Sequence, residues 1–142
     1  MPAIKQDYSS PRAALRTLED AYTAKDLEAA MAAKDFRYEA EDMLAALARA
    51  NGVKQQPGDE LSIELEGILR LRFRQHALEQ GFPDFRTYDC TIVEEIPVSQ
   101  HLVRLVEECV RKADGHRTRQ VLHAFNRANE WKIVELVIDE RT

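Results

Sequence analysis

LEQGFPDFRTYDCTIVEEIPV, residues Leu78 to Val98, changes character in its middle, and that change decides the fold. Up to Gly81 the chain carries apolar residues at helical spacing. Gly81 with Pro83 just beyond it is the strongest helix stop in the sequence. From Phe85 onward, β-branched and aromatic residues alternate with polar ones, which is the period of a half-buried strand. The chain therefore divides into a helical part, residues 10–81, and a sheet part, residues 85–139.

Working toward the C-terminus, four stretches read as strands: Phe85 to Val98, Leu102 to Val110, Arg117 to Arg127 and Trp131 to Ile138. Pro97-Val98-Ser99-Gln100, Ala113-Asp114-Gly115 and Asn126-Arg127-Ala128-Asn129 separate them. Asp114-Gly115 predicts a two-residue primed turn, because that turn needs positive φ. Connections this short leave no room for crossover helices, so the sheet is an antiparallel meander. Trp131, opening the last strand, is expected to pack on the helical layer.

Toward the N-terminus the pattern is helical. Ser10-Pro11 supplies an N-cap and a proline at the first helical position. Ala14, Leu15, Leu18, Ala21 and Tyr22 follow as one apolar face. Asp26 caps a second, short helix from Leu27 to about Lys34. Asp35-Phe36 opens a third, with Phe36, Ala40, Met43, Leu44 and Leu47 on one stripe. Asn51-Gly52 closes it, and Gln55-Gln56-Pro57-Gly58-Asp59 reads as a turn. A fourth helix runs from near Asp59 to Gly81 on Leu61, Leu65, Ile68, Leu69 and Phe73. Helices first and strands second define an α+β fold of one domain over residues 1–142: N-terminal helices packed on a curved, cone-like, four-stranded antiparallel sheet.

With 142 residues, 44% of them hydrophobic and 32% charged, the chain has the composition of a globular domain. Asp+Glu exceed Lys+Arg by 25 to 20, a net charge of -5. This balance speaks against nucleic acid as a partner, even though Arg70, Arg72 and Arg74 cluster on the fourth helix. No segment approaches a membrane span, and Met1 to Ser10 holds no apolar signal core. Cys90 and Cys109 have neither metal spacing nor the density of a disulfide scaffold, so buried free thiols and a cytoplasmic location are expected. They become neighbours if their strands pair. His76, His101, His116 and His123 form no ligand pair, and neither a metal site nor a cofactor is expected.

The stretch SPRAALRTLEDAYTAKDLEAAMAAK, Ser10 to Lys34, together with Glu130-Trp131-Lys132-Ile133, resembles the nuclear transport factor 2-like, or SnoaL-like, superfamily. The likeness lies in the opening helix, the acid at the elbow (Lys25-Asp26-Leu27), the short second helix and the closing strand. It departs from that pattern between Phe36 and Gly81, where a helix, turn and helix stand in place of an early strand. The resemblance implies a cone with an internal pocket, used by relatives for isomerase, dehydratase or cyclase chemistry, for ligand binding, or for toxin neutralisation by immunity proteins.

Strand alternation places Tyr88 and Glu94 on one face of the first strand, Glu107 on one face of the second and His123 on one face of the third. Gathered in an apolar pocket, these four make an acid–base site, since burial raises carboxylate pKa values and a neutral imidazole accepts protons. The acidic helix pairs, Glu19-Asp20, Glu39/Glu41-Asp42 and Asp59-Glu60, read as solvated faces. Of these, Glu39, Glu41 and Asp42 would meet a basic protein partner, a toxin included. Two functions follow: a non-catalytic, immunity-type binding protein, which the sequence favours, and a cofactor-independent isomerase, dehydratase or cyclase. A homodimer is compatible with both.

Overall fold

The computed structural model describes residues 5–52 and 58–137. Most of the predicted turn at 55–59 and the end of the predicted last strand, Ile138 included, lie outside them. The elements are α1 (Pro11–Thr23), α2 (Leu27–Ala32), α3 (Phe36–Ala50), α4 (Asp59–Gln80), β1 (Tyr88–Pro97), β2 (Leu102–Arg111), β3 (Arg117–Arg127) and β4 (Glu130–Val134). The strands pair antiparallel in the order β1-β2-β3-β4, the meander expected. The fold is α+β. No helix among the described residues is long and apolar enough to cross a membrane.

Side-chain caps start three of the helices. Ser10 Oγ accepts from the Ala13 amide, Asp26 Oδ1 from Ala29 at 3.1 Å, and Asp35 Oδ1 from Tyr38 at 2.9 Å. Each satisfies an amide that the helix itself leaves unpaired. Asp26→Ala should therefore lower stability by about 1 kcal/mol; an unchanged urea midpoint would remove the cap from the account. At the other end of the helical half, Gly81 stops α4 at φ +74°, with its amide still donating to the Ala77 carbonyl.

Three local details depart from the sequence reading. Phe85–Thr87 is a turn of 3-10 helix rather than the start of a strand, because the Asp84 carboxylate accepts from the Arg86 amide and caps it. The β2–β3 connection spans Lys112 to His116 instead of two residues. Asp114 binds the Arg111 guanidinium and the His116 amide there, while Gly115 takes the positive φ. The primed two-residue turn lies instead at Ala128-Asn129, both at positive φ, between β3 and β4.

One face of the sheet carries the core. Val103 and Leu105 of β2, Ala124 of β3 and Ile133 of β4 pack against Ala14, Leu15, Leu18 and Ala21 of α1 and Ala29, Ala30 and Ala33 around α2. Trp131 is half-buried against this cluster, as expected. The link between α2 and α3 joins the sheet edge: the Ile133 amide donates to Ala33, and the Asp35 amide donates to Ile133. That attachment brings Lys34 alongside β4. The opposite face is met by α3, whose Tyr38 ring stacks on Phe125 at 3.9 Å.

Candidate functional site

A cleft of about 430 Å³ opens between α1 and the ends of β3 and β4. Leu15, Leu18, Glu19 and Tyr22 of α1 form one wall, and these positions, spaced i, i+3, i+4 and i+7, share one helix face. Gln120 to His123 of β3 and Ile133 to Leu136 face them, with Lys34 and Phe85 closing the ends. Tyr22 is held by a stack of rings, Phe82 at 5.0 Å, Phe85 at 6.4 Å and Phe73 at 6.5 Å. Burial pushes its phenol well above the usual tyrosine range, so it stays protonated.

Glu19 is the distinctive group of the cleft. Its carboxyl is pushed up to about 9, first by burial and then by the carboxyl of Glu107. Its Oε2 is buried with no hydrogen-bond partner among the described residues. Glu107 lies under the sheet face at 2% exposure, accepting from the Gln120 amide group at 2.6 Å. Two carboxyls that share a dry region cannot both ionise cheaply, so Glu19 carries a proton at neutral pH. A protonated carboxyl in an apolar wall is a hydrogen-bond donor and a proton source.

The four residues grouped from the sequence do not come together. Glu107 sits on the inner face, as assumed. An irregularity between Ile92 and Glu94, where Ile92 pairs with Glu107 but Glu94 pairs with Val106, inserts Val93 and reverses the alternation. Glu95 takes the inner-face register, and Glu94 is turned away. Cross-strand pairing sets Gln120 and Leu122 beside Glu107 and Leu105, so His123, although it borders the cleft, alternates to the face opposite Glu107. Its imidazole is half-buried and pushed below the usual histidine range, by burial and then by Arg104. Tyr88 shares the inner face but pairs with Arg111, beyond the Cys90–Cys109 pair from Glu107 and outside the residues that line the cleft.

The acidic residues expected to meet a partner are engaged within the fold. Glu39 is buried, ion-paired to Lys34 at 3.0 Å and accepting from the Glu135 amide. Glu41 pairs with Arg127 at 3.3 Å, and Asp42 accepts from the Val137 amide at 2.8 Å. Glu19 and Glu39, both expected on solvated helix faces, are turned inward. A signal for this existed: Glu19 falls between Leu15, Leu18 and Tyr22, and Glu39 between Phe36, Ala40 and Met43, each on an apolar stripe.

Cys90 and Cys109 lie directly opposite in the register, Cα atoms 4.1 Å apart, joined as a disulfide rather than left as free thiols. Glu107 completes a group with the two sulfurs, the three ligand-type atoms lying within 4.8 Å of one another. Sulfurs joined to each other are not thiolates, so this group holds no metal ligand set in the oxidised form.

No family model matches the chain, and no curated protein matches it. Among solved structures it is similar to an NTF-2-like protein of unknown function from Shewanella oneidensis MR-1. That likeness has 18% identity and a TM-score of 0.44, and covers 84% of this chain and 88% of the other.

Proposed function

We propose that the cleft binds a small, uncharged, mostly apolar molecule bearing a carbonyl or hydroxyl oxygen, and that Glu19 in its acid form donates a hydrogen bond to that oxygen. The supporting observation is the placement of this buried carboxyl, shifted to about 9, in an apolar cleft of about 430 Å³. A volume of that order suits a small ligand. Lys34 also borders the cleft, but Glu39 neutralises it, so nothing there favours an anion. Proton delivery to a carbonyl or hydroxyl is the step that isomerisation, dehydration and cyclisation share, and Glu19 is the group suited to it. The immunity-type reading draws on the acidic balance, the small single domain, the helical segment after Phe36 and the lack of a catalytic motif, with Glu39, Glu41 and Asp42 as its expected docking residues. Because Glu39 is buried in an ion pair with Lys34, while Glu41 and Asp42 make surface contacts within the chain, that face is less free than expected, and we place the cleft ahead of it.

Titrating isotope-labelled protein with cyclohexenone and with 2-naphthol tests the proposal. Amide shifts should concentrate at Gln120, Val121 and Leu122. Glu19→Ala should weaken binding roughly tenfold, the loss of one well-made hydrogen bond, while Glu19→Gln, which keeps a donor, should weaken it less. Shifts scattered away from the cleft, or binding indifferent to Glu19→Ala, would refute it.

A further inference from the structure

The cleft lies at a gap in the sheet. β3 begins at Arg117, but β4 pairs with it only from His123 to Arg127, and the last pair is His123 with Val134. The same register, carried on, would set Leu136 against Val121. Pairing stops instead, and α3 takes the next amides of the chain. Glu135 donates to Glu39 at 3.1 Å, and Val137 donates to Asp42 at 2.8 Å. Gln120 to His123 then border the cleft on one side, with Glu135 and Leu136 on the other.

The direction of the backbone in this gap follows from alternation. The Asn126 amide donates to the His101 carbonyl, on the β2 side. Successive residues of a strand turn their N–H and C=O to opposite edges, so Ala124, Leu122 and Gln120 also face β2. Phe125, His123 and Val121 face the β4 side. The amides of β4 agree: Trp131 and Ile133 donate away from β3, to Tyr8 and Ala33, which turns Lys132 and Val134 toward it. Phe125 and His123 therefore meet Lys132 and Val134, whereas Val121 meets no strand. Among the described residues neither its N–H nor its C=O has a hydrogen-bond partner on that side. Val121 thus offers the cleft one donor and one acceptor, next to each other.

We propose that this free edge of Val121 is a subsite for a cis-amide, such as a lactam, whose C=O accepts from the Val121 N–H and whose N–H donates to the Val121 C=O. A cis-amide carries a donor and an acceptor on one edge. It makes the reciprocal pair of bonds that a residue of the missing strand would make. The inference rests on the cleft being a ligand site, and it adds recognition of an N–H to the recognition of an oxygen by Glu19.

Hydrogen exchange on the ligand-free chain reads the edge directly. Leu122 and His123, whose amides face paired strands, should exchange slowly, and the Val121 amide roughly a hundredfold faster. Slow exchange at Val121 would show that residues 135–137 close onto β3, and would overturn the proposal. Saturating δ-valerolactam should slow Val121 exchange. N-methyl-δ-valerolactam, which lacks the donor, should bind roughly tenfold more weakly. Val121→Pro removes the N–H without breaking a ladder bond, so it should keep the circular dichroism spectrum and weaken lactam binding by a similar factor. A lactam that fails to bind, equal affinity of the two lactams, or binding unchanged by Val121→Pro would overturn the subsite. Cyclohexenone binding that still depends on Glu19 would then leave the reading of the cleft standing. Lactam binding that needs Val121 but not Glu19 would do the reverse, keeping the subsite and removing the role of the acid.

Discussion

Glu39→Ala is expected to lower stability by about 3–5 kcal/mol in urea denaturation, although Glu39 lies on a helix that looks solvent-facing in sequence. The carboxylate meets Lys34 at 3.0 Å with both side chains nearly dry, 7% and 8% exposed. It also accepts the Glu135 amide at 3.1 Å, tying α3 to the chain just after β4. Removing it strands the Lys34 ammonium between the Phe36 and Phe73 rings, each 5.4 Å away, and leaves the amide without its acceptor. Attraction to the two rings compensates only part of a lost ion pair. Burial pushes the Glu39 carboxyl upward while Lys34 holds it back, so the isolated charge is costly and its partner makes it tolerable. The double variant Lys34→Met/Glu39→Leu should consequently lose far less than Glu39→Ala, having no charge left to strand. A Glu39→Ala protein within about 1 kcal/mol of wild type would show that water reaches the pair.

Stability should also fall as pH rises from about 4.5 toward about 9, because of Glu19. Unfolded, its carboxyl ionises near the ordinary value of 4.5; folded, it keeps its proton to about 9. Between those values the folded state binds the extra proton, so its contribution is full below the unfolded value and is lost as pH climbs through the folded one. One proton sets a slope of at most about 1.4 kcal/mol per pH unit, and the solvent-facing side of the cleft reduces it. Glu19→Gln cannot ionise and should flatten this part of the profile. Denaturation curves at several pH values in that window decide it: equal slopes in wild type and Glu19→Gln would mean that Glu19 ionises normally in the folded protein.

Most of the architecture was legible because it depends on local chemistry. Ser10, Asp26 and Asp35 announce helix starts through the amides they satisfy, and Gly81 ends α4 at a φ that other residues avoid. Alternation of apolar and polar residues marked the strands, and their short connections dictated antiparallel order. The misplaced hairpin turn is instructive. Asp114-Gly115 has the right dipeptide, but Asp114 binds Arg111 and His116, lengthening the loop. Ala128-Asn129 forms the tight turn because strand pairing on both sides imposes the left-handed backbone there.

The site was far less legible, for a reason that follows from period-2 geometry. One inserted residue, Val93, exchanges the faces of everything after it, so Glu94 leaves the inner face that the sequence assigned to it. Pairing register, which no single strand encodes, separates His123 from Glu107.

By itself the sequence determined the α+β class, the helix boundaries, the strand order and the acidic balance, since propensity, capping and periodicity act within a few residues. Only the tertiary structure decided that Glu19 meets Glu107, that Glu39 meets Lys34 and that Cys90 meets Cys109. Each pairing joins different elements, and its energy depends on how much water the assembled layers exclude. A carboxyl that looks like one more surface charge along a helix becomes an acid at neutral pH only after a sheet has closed over it.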